Sequence, residues 1–299
     1  MFITVHVPAR SESIQGVLAM LAAMAIFVVN DTLVKIAAGS LPKGETLFVR
    51  GVFITAISWL LIIGSSHRVM LRPAMSFAVL ARALADLGST AFFIQALVSM
   101  PIGEVFGILQ FTPLAITAAA ALFLRAKVGW RRWSATAVGL IGVLLIIRPG
   151  AAAFNPYAIF AILSILCSVA RDLFTRRVAM SVPTLVIVGV SAAVVTFCSA
   201  GFALIEDWIW PAAPTALLLL LAGLALLAGQ YWLVLAMRTG EIAVVAPFRY
   251  SIILWAVLAG FLVWGESPDI ASWIGIAVVS AAGLYTFMRE YQLAKTAFS

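Results

Sequence analysis

The sequence predicts an all-α integral membrane protein, with ten transmembrane helices arranged as two inverted five-helix repeats around a central cavity. Three observations carry this. The 299 residues are 64% hydrophobic and only 10% charged, whereas a soluble domain averages about 25% charged residues, so lipid is the natural solvent for the surplus apolar surface. The apolar residues fall in ten continuous runs, each close to the ~20 residues needed to cross a ~30 Å hydrocarbon core. Finally, an acid–base pair one helical turn apart occurs twice, at Asp31/Lys35 and at Asp172/Arg176, with the same shift of half the chain.

The runs lie at 14–37, 45–64, 74–98, 103–124, 130–148, 154–179, 183–206, 213–237, 242–265 and 270–290. Proline, glycine and charge punctuate the joints, as in "GSLPKGE", "RAKVGWRR", "EDWIWPAAP" and "GESPD". The runs are continuous rather than alternating, which excludes porin-type strands. The first is long enough to span, so it reads as a retained helix rather than a cleaved signal peptide. Basic residues set the orientation. With the N-terminus on side one, that side collects twelve Lys and Arg, and side two has only Lys43 and Arg148 with most of the loop acids. The positive-inside rule then places both termini in the cytoplasm, and the net charge of +7 reports topology rather than nucleic-acid binding.

The half-chain shift is 141 positions for Asp31/Asp172, Lys35/Arg176, Gly142/Gly283 and Arg125/Glu266, and 140 for "ALVSM" against "AMRTG". It divides the chain into 14–148 and 154–290. Five helices per unit is odd, so the second unit enters the membrane from the opposite side, the construction common in secondary transporters. Asp31, Lys35 and Arg50 then fall near the outer face and Asp172, Arg176, Arg82 and Arg249 near the inner one. These two charged layers would close a central site in turn. Asp86, one turn from Arg82, is expected nearest the midplane as a coupling carboxylate or as a partner of Arg82. Charges inside a span cost at least ~2.5–3.5 kcal/mol each, so they face a cavity or a partner. The bland readings are an intrahelical pair for Asp31, a snorkelling Lys35, and topology charges for Arg171, Arg176 and Arg177.

Pro113 and Pro247 interrupt the fourth and ninth spans, and a proline frees a carbonyl that must face protein or water. Between the charged layers lie Asn30, Gln95, Gln110, Tyr231, Trp232, Phe248 and Tyr250. A metabolite pocket is mostly apolar with a few placed polar groups, and these seven suit an amino acid, with a polar cradle for the zwitterion and an aromatic box for its side chain. Their alternative is the interfacial aromatic belt, where Trp208, Trp210, Trp264 and Trp273 also belong. The cavity is expected to be lined by spans 1, 3, 4, 6, 8 and 9. Only Arg82 and Arg249 stand out as mid-membrane cations, too few for a nucleotide sugar's phosphates, which favours a neutral or zwitterionic cargo.

Other classes fit poorly. His6 and His67 lie outside the spans, and no aspartyl-peptidase or zinc motif occurs, so an intramembrane enzyme is not expected. A channel would want rings of repeated polar residues. An ATP-driven pump would need a phosphate-binding loop. No metal or cofactor is expected, and Cys167 and Cys198 read as buried small hydrophobes. The partners are a small-molecule substrate and membrane lipid, with a monomer as the working unit.

"NDTLVKIAAGSLPKGETLFVR", "ARALADLGSTAFFIQALVSMPIGEVFGILQFTPL" and "FLVWGESPDIASWIGIAVVSAAGL" resemble the helix signatures of bacterial ten-helix, EamA-like exporters of the drug/metabolite transporter superfamily. The first supplies the acid, Lys, Pro and Arg of that signature as Asp31, Lys35, Pro42 and Arg50, and the last supplies Glu266. The chain departs from the pattern at Arg125, where the first half of such exporters often carries the matching acid. The resemblance implies export of a small metabolite by alternating access across the bacterial inner membrane. Amino acids are its leading cargo, with the aromatic-amino-acid exporter branch favoured, and drug-like compounds or nucleotide sugars are the alternative.

Overall fold

The computed structural model describes residues 10–64, 76–123, 129–148, 154–175, 177–178, 182, 184–239 and 245–297. Among them every regular element is a helix: α1 (Arg10–Ala37), α2 (Lys43–Gly64), α3 (Phe77–Ser99), α4 (Ile102–Leu109), α5 (Thr112–Phe123), α6 (Trp130–Ile147), α7 (Ala158–Thr175), α8 (Thr184–Ala203), α9 (Ala213–Thr239), a 3₁₀ turn (Ala246–Ser251), α10 (Ile252–Trp264) and α11 (Ile270–Ala297). Seven helices are long and apolar enough to cross a membrane, and shorter apolar helices at 102–116, 133–147 and 248–264 complete the ten. Phe197, Phe77 and Leu262 are 81%, 79% and 70% exposed. A soluble protein could not keep so much apolar surface wet.

The fourth span breaks between α4 and α5. Pro113 has no N–H to give, so the Leu109 carbonyl loses its helical donor and takes the Thr112 hydroxyl instead, at 2.6 Å. The local chain tightens, with the Phe111 N–H donating to the Ile108 carbonyl at 3.0 Å. At Pro247 the interruption takes another form. It stands in the first turn of a 3₁₀ segment, Ala246–Ser251, which separates the helical Val245 from α10 and breaks the α-helical hydrogen bonding of the ninth span there.

Packing has the symmetry of an exchange of halves. The main contacts join span 1 to span 8, span 3 to span 6, span 2 to span 7 and span 5 to span 10. Advancing each number by five, cyclically, returns the same set. Where a span meets its own counterpart, equivalent residues touch: the hydroxyls of Thr55 and Thr196 lie 2.9 Å apart, and their numbers differ by 141. Gln110 Nε2 likewise reaches the carbonyl of Tyr250, 140 positions on, at 3.5 Å. Spans 5 and 10 cross at Gly142 and Gly275, where a Cβ built on Gly275 would stand 2.6 Å from the Gly142 carbonyl oxygen. Small residues permit that backbone approach, which drives helix association in lipid. Between α3 and α7, Ser89 and Ser168 are bonded at 2.7 Å, and Ser164 donates to the Ser89 carbonyl at 2.9 Å.

Candidate functional site

The face at the C-terminal end of α1 is tied shut. Lys35 Nζ donates to Glu266 Oε1 at 3.1 Å and to the Met100 carbonyl at 2.8 Å, and it lies 4.6 Å from the Trp264 ring centroid. Glu266 is aimed by Gly265, whose φ of +67° lets the chain reverse after α10. Its second oxygen accepts the Ile102 N–H at 3.1 Å, capping α4. A carboxylate there also meets the positive end of the helix dipole. Alongside, Glu206 caps α2 through the Gly44 and Glu45 N–H groups, and the fully buried Glu45 accepts the Ile209 N–H. Arg148 forms a two-point pair with Asp269. The Ser272 N–H, and then the Arg148 guanidinium, hold the Asp269 carboxyl below its usual range.

A cavity of about 460 Å³ lies toward the N-terminal end of α3 and the C-terminal end of α7, where Arg82, Asp172 and Thr175 line it. Its apolar wall comes from Leu47 and Ile54 on α2, Val188 and Val195 on α8, and Leu226 and Leu233 on α9. Its charged wall holds Arg50, Arg82, Arg171 and Arg249 with Asp86 and Asp172. Arg171 bridges both acids, with Nη1 donating to Asp86 at 3.1 Å and Nε to Asp172 at 3.0 Å. Arg82 donates to the hydroxyls of Thr175 and Ser191. The lining spans are therefore 2, 3, 6, 7, 8 and 9 rather than the expected 1, 3, 4, 6, 8 and 9. Span 1 packs along span 8 and the fourth span meets the ninth, while spans 2 and 7 both contribute to the cavity wall.

The one-turn pairs read from the sequence are not the pairs formed. Lys35 binds Glu266 rather than Asp31, and Asp31 instead accepts the Asn30 amide at 2.7 Å. Asp86 binds Arg171 rather than Arg82. Arg176, the expected partner of Asp172, lies outside the described residues. In a bundle the neighbouring helix offers partners at shorter reach than the next turn of the same helix. Gln95 accepts from Lys43 at 2.8 Å near the closed face.

The expected aromatic box is not assembled around the cavity, whose lining contains no aromatic residue among those described. Tyr231, Trp232 and Phe248 are 66%, 38% and 39% exposed. Phe248 and Tyr250 instead border a shallow apolar groove against α11. The count of mid-membrane cations also changes, since Arg50 and Arg171 join Arg82 and Arg249. Arg171 read as a topology charge, but it occupies the position equivalent to Asn30, one residue before the repeated Asp, and that register was the available signal. Nothing in the sequence marked Ser191 or the Met100 carbonyl.

The EamA-like transporter family model matches the chain twice, over residues 14–148 and 155–288. A riboflavin transporter of Rhizobium johnstonii is 33% identical over 208 residues, covering 69% of this chain and 68% of that protein. An S-adenosylmethionine uptake transporter of Rickettsia prowazekii is 23% identical over 93% of this chain and 94% of its own length. A pseudopaline exporter of Pseudomonas aeruginosa is 26% identical over 89% and 94%. A crystal structure at 18% identity superposes with a TM-score of 0.62 across 95% of this chain and 99% of its own, a likeness of fold. With a ten-span helical bundle and a family match over both halves, this chain is a multi-pass membrane protein that belongs to the EamA-like family of small-molecule transporters.

Proposed function

We propose that the protein is a secondary carrier that exports a small carboxylate-bearing metabolite, amino acids included, across the bacterial inner membrane by alternating access. Residues 14–148 and 154–290 act as the two repeat units, and both termini lie in the cytoplasm. The observation that carries the reading is the cavity of about 460 Å³, within the ~300–1,000 Å³ of metabolite sites, beneath a face sealed by Lys35 and Glu266. That is the form of an inward-open carrier. Guanidinium groups suit a carboxylate, and Asp86 and Asp172 keep free lone pairs for an ammonium. The relatives named for riboflavin, S-adenosylmethionine and pseudopaline span such different cargo that the family leaves the substrate open, and the cavity wall is the better guide.

Counterflow in proteoliposomes tests this. Vesicles are loaded with unlabelled phenylalanine, glutamine or glutamate, and uptake of the labelled form is followed. Accumulation that is lost in Arg249→Gln and Asp86→Asn, both still folded by thermal melt, is the expected result. Counterflow that persists unchanged in both variants would rule this cavity out as the pathway.

A further inference from the structure

We infer that the cavity selects organic anions of net negative charge over zwitterions. The inference deepens the proposed transport reading and rests on it. Four arginines line the cavity. Three aspartates are set against them: Asp86 and Asp172 in the wall, and Asp31, which is outside the lining and interacts with Arg50. Arg171 takes both wall acids as ion-pair partners. Among the described residues, Arg82 donates to the neutral hydroxyls of Thr175 and Ser191 and forms no ion pair. Arg249 feels Asp172 and Arg171 across the cavity but makes no hydrogen bond or ion pair within the described residues. Arg50 is buried with its Nε unbonded, and its nearest acid is already accepting from Asn30. Among the described residues, one guanidinium is thus in excess over these carboxylates, in a site with an apolar wall that screens charge poorly.

The cations also stand at two levels. Thr55 and Thr196 mark the axis of exchange. Arg50 precedes Thr55 by five residues on α2, and Ser191, which holds Arg82, precedes Thr196 by five on α8. The two helices run in opposite directions, so these levels lie roughly 7.5 Å to either side of the axis. An anion drawn in at Arg82 and Arg249 therefore has a second cation, Arg50, deeper along its path. A zwitterion brings no net charge and leaves the excess unmatched. A carboxylate or a phosphate ester that carries net negative charge offsets it.

The test reads the charge directly. On a chain with Cys167→Ser and Cys198→Ser, a single reporter is placed in the wall as Ala192→Cys or, separately, Leu226→Cys. Each is modified with the anionic sulfonatoethyl or the cationic trimethylammonioethyl methanethiosulfonate, with rates normalised to a free thiol. The anionic reagent should react about fivefold faster, and the advantage should shrink in Arg249→Gln and at high salt. In the same samples 2-oxoglutarate and glutamate should slow modification and glutamine of matched size should not. Adding glycerol 3-phosphate distinguishes a phosphate preference from a carboxylate one. A ratio at or below one, or equal protection by glutamine, overturns the inference while leaving the carrier reading intact. Failure of both reagents to reach either reporter would overturn both, because the cavity would not be aqueous.

Discussion

Glu266→Gln removes one charge from the sealed face and little else. The amide oxygen can still accept the Ile102 N–H, and Lys35 keeps the Met100 carbonyl and the Trp264 ring. At the observed 3.1 Å the gross attraction at an effective dielectric near 20 is about 5 kcal/mol. Lys35 is 8% exposed but Glu266 is 25% exposed, so solvent takes part of it. A net loss of about 2 kcal/mol lies between surface and buried pairs. If the pair holds the face shut, that loss raises the open population about thirtyfold. The reporter is Leu47→Cys, on the cavity's deep wall, in right-side-out vesicles with a membrane-impermeant maleimide. Labelling should accelerate in Glu266→Gln by up to that factor. Combining it with Lys35→Met should add far less than the two single effects, because the stranded lysine is then gone. Wild-type labelling rates in Glu266→Gln, or strict additivity of the two changes, would refute the lock.

Four further outcomes follow from the packing and the caps. Gly275→Leu should destabilise the protein by ~1–3 kcal/mol or prevent folding, since even a Cβ meets the Gly142 carbonyl. Gly201→Ala, with open space around its Cβ, should be neutral or stabilise by up to ~1 kcal/mol, and thermal melts in detergent compare the two. Asp269→Asn should lower the melting temperature at neutral pH. Because the native pKa is depressed, the contribution of Asp269 is present above the usual carboxylate pKa and fades as pH falls through the lowered value, so the variant and parent should converge in acid. Thr55→Cys with Thr196→Cys, on the cysteine-free chain, should form a disulfide under mild oxidation, visible as a gel shift. No crosslink would mean that spans 2 and 7 do not meet there.

The bundle could be read from the sequence because each span carries its own signal: length, apolarity and punctuation are local quantities. The register of the repeat could be read from the constant shift of Asp31/Asp172, Lys35/Arg176 and Gly142/Gly283 taken together, and the contact of Thr55 with Thr196 obeys it. Side-chain partners could not. Lys35 chose Glu266 over Asp31, and Arg171 chose Asp86, because helix rotation and crossing decide which residue of a neighbour comes within 3 Å. Those angles are set by residues such as Gly142 and Gly275, whose role shows only once the helices are assembled. The aromatic box failed for a related reason. Tyr231 and Trp232 lie at plausible depth, but depth does not fix the face of α9 on which they stand.

The near-exchange symmetry bears on which way the carrier rests. If the halves were identical in sequence, the forms open to either side would be the same structure turned over, with equal energies and equal populations. Contacts on the axis, such as Thr55 with Thr196, persist under the exchange and cannot tilt that balance. Off-axis divergence can. Asn30 stands opposite Arg171 in register, and Arg125 opposite Glu266, so one face is held by Lys35, Glu266 and Trp264 and the other must close with different chemistry around Arg171. The resting preference is thus a measure of how far two copies of one unit have drifted apart at a few positions. Substitutions that make those positions alike should bring the two populations toward parity.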